Sequence, residues 1–245
     1  MPLAFRAAAI LAGMVFCVPL HYLWKLFGAR SIWPQVFLGY AGRCAGLRVR
    51  IEGRPLLDHV LFAANHVSWL DILALGGATR AAFVSRDDVG TWPLIGWIAG
   101  LNDTIFVVRQ ARREVKDQAD ALRATLARGR AVALFPEGTT DGGHEMLPFR
   151  PSLFASVYPP LPGLRVQPVA IDYGPLGPEI AWVGEEGAGE NAARVMAMKG
   201  GIPVTLRFLD PIDPAAAGDR KALAAQAQAQ IAEALGASSG GGDGL

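Results

Sequence analysis

Charge is scarce in this 245-residue chain: Asp, Glu, Lys and Arg make up 18% of it against 51% hydrophobic residues, with a mean hydropathy of +0.28. That balance is too apolar for an intrinsically disordered chain and thin in charge for a freely soluble domain. Cysteine is rarer still. Cys17 and Cys44 have no His or Cys partner at metal-ligand spacing, which argues against a disulfide framework and gives no reason to expect a metal. There are only four histidines, and an H-x4-D spacing involving one of them is by itself a weak motif. No internal repeat is visible, and the length suits one large domain or two small ones.

The little charge there is lies unevenly. Residues 1–58 hold seven Lys/Arg against two Asp/Glu, a net +5, while the remainder nets −4. Within this basic front, residues 3–24 carry one charge in 22 positions, enough for a spanning helix, although Pro19 and His21 weaken a spanning reading and favour a helix lying in the interface. No small-residue cleavage site follows promptly, and SIWPQVFLGYAG is again apolar, which argues against a removable signal peptide. Trp24, Trp33 and Tyr40, with Lys25, Arg30 and Arg43 nearby, have the composition of interfacial anchors. The alternative is an ordinary hairpin on a soluble core, but so long an apolar run is hard to bury in so small a domain.

Beyond this hairpin, apolar runs of strand length recur at 47–51, 60–64, 81–85, 104–108, 131–135, 165–171, 179–183 and 202–208. Helical patterns lie between several of them, most clearly at 111–128, where Val115, Ala119, Leu122 and Leu126 share a face and Gly129 supplies a stop. The expected fold class is α/β, a mainly parallel sheet flanked by helices behind an N-terminal apolar helical hairpin. The expected organisation is a membrane-associating hairpin over 1–46, a catalytic domain over 47–235 ending in an Ala/Gln-rich helix at about 219–235, and a flexible tail over 236–245. TWPLIGWIAGL (91–101) reads either as a buried helix or as membrane-facing surface.

Two loops could carry chemistry. Asn65-His66-Val67-Ser68-Trp69-Leu70-Asp71 follows the run VLFAA, at the carboxyl end of a strand, where α/β sites usually sit. On one continuous helix His66 and Asp71 would lie roughly 140° apart, so they meet only if His66 is in the loop. With Ser68 as N-cap and Asp71 three residues on, the carboxylate would point back at the imidazole. His66 would then give its Nδ1–H to Asp71 and present Nε2 as a general base. The plain alternative is a capping box beside a satisfied loop histidine, and the spacing alone leaves the two level. The second loop, Phe135-Pro136-Glu137-Gly138-Thr139-Thr140, follows the run AVALF. Pro136 ends the strand, Gly138 permits a positive φ, and the backbone N–H groups and hydroxyls beyond it can converge on an anion.

Taken together, NHVSWLD and FPEGTT resemble the glycerolipid acyltransferase family that includes the 1-acyl-glycerol-3-phosphate acyltransferases. The resemblance extends through Thr104-Ile105-Phe106-Val107-Val108-Arg109, LPFR at 147–150 and Val166-Gln167-Pro168-Val169, about residues 50–210 in all. It implies an O-acyltransferase that carries a fatty acyl chain from acyl-CoA or acyl carrier protein to the free hydroxyl of a lysolipid at the membrane, with no bound cofactor and no metal. His66 would be the base and Asp71 its orienting partner. Arg109 would hold an anionic head group, and Glu137 with Gly138 would position the acceptor beside Thr139 and Thr140. The implied location is the cytoplasmic face of the bacterial inner membrane, with membrane lipids as neighbours and no nucleic acid.

Departures from the family pattern fall on the acceptor side. Members that use lysophosphatidate often read E-G-T-R, where this chain has Thr140, and G-x-x-x-I-D-R, where it has Asp103 and Val108 at the Gly and Asp positions. Arg150 could compensate. FPEGTTDGG with LPFRPSL also resembles the lyso-ornithine-lipid acyltransferases, whose acceptor is a zwitterionic aminolipid. The commoner activity puts lysophosphatidate, and hence phosphatidic acid as product, ahead of lyso-ornithine lipid. WPLIGWIAG (92–100) is a candidate wall for the acyl chain. Other classes fare poorly: the G-x-S-x-G of Gly236–Gly240 lies in a tail with no strand before it, and the Gly187–Ala192 loop is too long for a dinucleotide turn. A non-catalytic membrane protein would leave His66, Asp71 and Glu137 dispensable.

Overall fold

The computed structural model describes residues 2–28, 30–86, 100–102, 104–107, 112–140, 142–143, 145–184 and 186–239. Helix α1 (Leu3–Leu26) and helix α2 (Trp33–Ala45) form the N-terminal hairpin. Helix α1 runs through Pro19 without a break, and Gly46 ends α2 at φ 109, a left-handed conformation that only glycine adopts freely. There follow β1 (Leu47–Glu52), β2 (Val60–Ala64), α3 (Leu70–Ala78), β3 (Ala82–Arg86), β4 (Ile105–Val107), α4 (Arg112–Ala127) and β5 (Val132–Leu134). A 3₁₀ turn at Pro151–Val157 leads to β6 (Arg165–Asp172), then α5 (Gly177–Ile180), α6 (Ala188–Ala197), β7 (Ile202–Phe208), α7 (Pro214–Ala217) and α8 (Arg220–Ser239).

Among the described residues, seven strands form one sheet in the order β1-β7-β6-β2-β5-β3-β4. Every pairing is parallel except β6 with β7, so the mainly parallel α/β architecture expected from the sequence is present. Strand β2 is central and explains why. Its residues VLFAA are all buried, with Val60, Phe62 and Ala64 in the core layer on one face and Leu61 and Ala63 in the layer on the other. A strand covered on both faces reads as an unbroken apolar run, as parallel sheets require. Helix α4 packs its stripe, here Leu122 and Leu126, into the second layer, and Leu223 and Ile231 of α8 join it.

One expected strand is not formed. The run at 179–183 becomes the end of α5 and an extended segment that buries Ile180 and Ala181 against the first layer. A run of four apolar residues, Ile180 to Val183, does not distinguish a buried turn from a strand.

Helix α2 sits across α3 at backbone contact: a Cβ placed on Gly77 would lie 2.6 Å from the Gly39 Cα. The hairpin is thereby fixed directly to the helix that follows the first motif loop. It is also pinned by Arg6, a guanidinium only 4% exposed that donates to the carbonyls of Ala45 at 2.9 Å, Met198 at 3.2 Å and Gly200 at 3.4 Å. These are the carboxyl-terminal ends of α2 and α6, where unpaired carbonyls favour a cation.

Candidate active site

Because β5, β2 and β6 are adjacent and parallel, the segments leaving their carboxyl ends emerge side by side. These are the Asn65–Trp69 loop, the Phe135–Thr140 loop and the Tyr173 segment. Asn65 secures the first: its side-chain amide exchanges two hydrogen bonds with the backbone of Ile171, at 3.0 and 2.8 Å, extending the β2–β6 ladder past the last strand residue.

His66 and Asp71 are brought together as the loop argument expects. Imidazole Nδ1 lies 2.8 Å from Asp71 Oδ2, with the His66 side chain 18% exposed and that of Asp71 fully buried. Helix α3 begins at Leu70 with Trp69 at its cap, one residue later than the sequence suggests, and Ser68 Oγ makes only a long 3.5 Å contact to the Leu70 N–H. The capping contact that matters runs the other way. The N–H groups of Ser68 and Val67 donate to Asp71 Oδ2 at 2.9 and 2.7 Å. One carboxylate oxygen thus serves both the helix start and the imidazole, so the two interpretations of the motif hold together.

Asp71 is buried yet accepts from every side, since its other oxygen takes a 2.7 Å hydrogen bond from the Tyr173 hydroxyl. Burial first, then the Asp71 charge and this bond, push the Tyr173 phenol well above its usual range, so it remains an O–H donor. With Nδ1–H committed to the carboxylate, Nε2 is the basic atom of the ring, and it has no hydrogen-bond partner among the described residues. The ring lies flat on Phe135, centroids 4.0 Å apart and planes 14° from parallel, and Phe83 stacks beneath Phe135 at 6.3 Å.

Glu137 joins the two motif loops. Its carboxylate, 1% exposed, accepts the His66 N–H at 2.7 Å on one oxygen and the Leu147 N–H at 2.8 Å on the other. The residue that the resemblance puts at the acceptor is turned inward here, so its influence on an acceptor runs through the backbone it holds. Gly138 takes φ +77 and spends its N–H on the Phe135 carbonyl at 3.0 Å. Thr139 is exposed. The Thr140 hydroxyl donates to the Trp182 carbonyl, and Trp182 N–H donates to Val67 O at 3.3 Å, so residues 181–183 brace both loops. Arg150 has an exposed side chain, and its backbone N–H holds Pro136 O at 2.9 Å. Arg109, Asp103, Val108 and the segment 92–99 lie outside the described residues.

Sequence reasoning passed over Tyr173 and the brace at Trp182. The brace is ordered by Glu186, which accepts from Arg194 and Asn191 while Asn191 Oδ1 takes the Trp69 indole N–H at 3.0 Å. Hydrogen bonds from Arg194 and then Asn191 hold the Glu186 carboxyl at about 2. Among the described residues no group of His, Cys, Asp or Glu is arranged to hold a metal.

A histidine with one nitrogen on a buried carboxylate and the other open, at the carboxyl ends of parallel strands in an α/β fold, is an arrangement able to take a proton from a hydroxyl. Comparison with known proteins narrows that chemistry. Residues 48–172 match the Acyltransferase family model, and the chain belongs to that family and is an acyltransferase. It is 32% identical to the lyso-ornithine lipid O-acyltransferase of Rhodobacter capsulatus, over 96% of this chain and 90% of that protein. It is 38% identical to the 1-acyl-sn-glycerol-3-phosphate acyltransferase of Neisseria gonorrhoeae, over 54% of this chain and 52% of that protein. Its fold matches the crystal structure of the 1-acyl-sn-glycerophosphate acyltransferase PlsC from Thermotoga maritima with a TM-score of 0.65, at 20% identity, across 94% of this chain and 96% of that one.

Proposed function

We propose that this acyltransferase moves a fatty acyl group from a thioester, acyl-CoA or acyl carrier protein, to the free hydroxyl of a lyso-ornithine lipid, with His66 as general base. The observation that carries the chemistry is the 2.8 Å contact between His66 Nδ1 and Asp71, which fixes the tautomer and leaves Nε2 to take a proton. As the acceptor oxygen attacks the thioester carbonyl, its proton passes to Nε2 and Asp71 balances the imidazolium. Collapse of the tetrahedral intermediate forms the ester, breaks the carbon–sulfur bond and returns the proton to the departing thiolate. No covalent acyl-enzyme is required.

The choice of acceptor reverses the order given by the sequence, which put lysophosphatidate first. A relative named for lyso-ornithine lipid aligns over nearly the whole chain, whereas the glycerol-phosphate relative aligns over about half. The site supports the change. Thr140 stands where lysophosphatidate enzymes often carry an arginine, and its hydroxyl is spent on Trp182 instead of facing a phosphate. Arg109 and Arg150 are the remaining cations proposed for the acceptor's acidic group.

The membrane supplies the lysolipid acceptor, and α1 is the one helix among the described residues long and apolar enough to cross it. We favour a seat in the plane of the cytoplasmic leaflet, where acyl thioesters are found. Arg6 and His21 both face the protein, about 22 Å apart along α1, while Phe16, Leu26 and Phe27 are 63–81% exposed on it. A buried guanidinium at one end holds the helix alongside the domain.

Mass spectrometry of products from the purified full chain, given acyl-CoA with either lyso-ornithine lipid or lysophosphatidate, tests the reading. The wild type should make acylated ornithine lipid, and His66→Ala should lose about 10²–10⁴ in rate with an unchanged melting point. Phosphatidate as the sole product overturns the acceptor, and an active His66→Ala overturns the base.

A further inference from the structure

Tyr173 lies 102 residues from Asp71 in the chain, is 3% exposed, and donates its hydroxyl to Asp71 Oδ1 at 2.7 Å. Resting on the reading of His66 as the base, we propose that Tyr173 is a positioning residue for acyl transfer. Its O–H fixes which carboxylate oxygen faces the imidazole and draws charge away from that oxygen, so that it sets the base strength of His66 Nε2.

The hydrogen-bond inventory of Asp71 carries the argument. Its contacts are the N–H groups of Val67 and Ser68, His66 Nδ1 and the Tyr173 hydroxyl. Main-chain N–H groups only donate, so Oδ2 is an acceptor that carries no proton, and the imidazole must donate to it. Three donors converge on Oδ2 and one on Oδ1. Without the phenol, Oδ1 would be a fully buried carboxylate oxygen with no partner, and the charge now shared across both oxygens would concentrate toward the imidazole.

The phenol is itself held in place. Tyr173 directly follows β6, where Asp172 accepts the Gly174 N–H at 2.7 Å and Arg207 at 2.9 Å, so the backbone carrying the ring is tied to β7. Tyr173 also packs in the same core layer as Val67, within the motif loop, and Leu70, which opens α3.

Among the described residues, the carboxylates on the neighbouring segments are already engaged. Glu137, from the loop after β5, has both oxygens on backbone N–H groups. Asp172 of β6 is on Arg207, which also holds Glu52 of β1. Glu186, beyond Trp182, is on Arg194 of α6. Tyr173 is the side chain, other than His66, that touches the Asp71 carboxylate among the described residues. The sign of its effect follows. Removing the donor leaves more negative charge facing the ring, which favours the imidazolium and moves loss of activity at low pH to a higher pH.

The test is the pH dependence of kcat/KM for the acceptor in the full-length enzyme and in Tyr173→Phe. The acid limb of the variant should move up by about half to one pH unit. Its plateau kcat should fall several-fold while acceptor KM changes less than twofold. The midpoint of the limb does not depend on how much protein is active, so partial misfolding does not obscure it. A fluorotyrosine placed at 173 retains the ring and sharpens the donor, and should move the limb the opposite way; it also decides the matter should Tyr173→Phe not fold. An unmoved limb in a folded variant, even one with a lowered melting point, makes Tyr173 a packing residue and overturns the proposal. Failure of the underlying reading shows separately, as turnover retained by His66→Ala.

Discussion

Replacing Asp71 with asparagine separates the charge of this carboxylate from its hydrogen bonds. An asparagine can set its amide oxygen at the Oδ2 position, toward His66 Nδ1, Val67 N–H and Ser68 N–H, and turn its NH₂ to the Tyr173 oxygen, whose lone pairs can accept. Every bond survives, with the phenol reversing its role. What disappears is the attraction between carboxylate and imidazolium, about 4 kcal/mol for unit charges about 4 Å apart at an effective dielectric near 20. Allowing the amide dipole to recover part of it, about 2–3 kcal/mol is lost in the transition state, a fall of roughly 30- to 150-fold in kcat/KM. Asp71→Ala instead orphans four buried donors at about 1 kcal/mol each, which should lower the melting point of a chain this size by roughly 10 °C. Steady-state kinetics and thermal unfolding of the two variants in the same detergent make the comparison. An Asp71→Asn enzyme as fast as wild type, or one that melts as low as Asp71→Ala, would refute the reasoning.

Other consequences can be checked as directly. Gly77→Ala puts a Cβ 2.6 Å from the Gly39 Cα, so α2 and α3 must separate at a cost of about 1–3 kcal/mol, whereas Gly189→Ala, whose Cβ meets nothing within 4 Å, should be neutral or stabilising in denaturant unfolding. Thr140→Arg gives up the bond to Trp182 and adds a cation beside the acceptor; product analysis should show turnover of lysophosphatidate relative to lyso-ornithine lipid rising about tenfold, and an unmoved ratio would remove Thr140 from acceptor choice. Glu186 titrates at about 2 in the folded chain against an ordinary 4.5, so its contribution to stability is full above pH 4.5 and fades as the pH falls toward 2. Melting points of Glu186→Gln across that window should therefore fall less steeply with acid than those of the wild type.

The central strand and the two motif loops were legible because their signals are local. VLFAA is a continuous apolar run, Pro136 ends a strand, and the spacing of His66 and Asp71 demands a loop. The antiparallel pairing of β6 with β7 was not legible, since direction depends on how the chain returns across α6 and nothing in either strand's residues encodes it. Tyr173 was hidden for a similar reason: it follows an ordinary strand, and its importance arises from a partner 102 positions away. Arg6 looked like the lone charge near the start of an apolar helix, and only the packed ends of α2 and α6 reveal it as a buried donor. Glu137 was recognised as part of the site, but its inward orientation depends on the His66 and Leu147 N–H groups that surround it.

The way Arg6 is seated bears on anyone wanting a water-soluble version of the enzyme. Cutting away α1 looks like the removal of a detachable anchor, but it would strip the guanidinium from the carbonyls of Ala45, Met198 and Gly200 and take away Ala9 O, the acceptor of the Tyr40 hydroxyl. The face of α2 that α1 covers would then be exposed, on a helix still locked to α3 at Gly77. Polar replacement of outward residues such as Val15, Phe16 and Leu26 is the gentler route, because it leaves the underside of the helix, and the helix that carries Asp71, undisturbed.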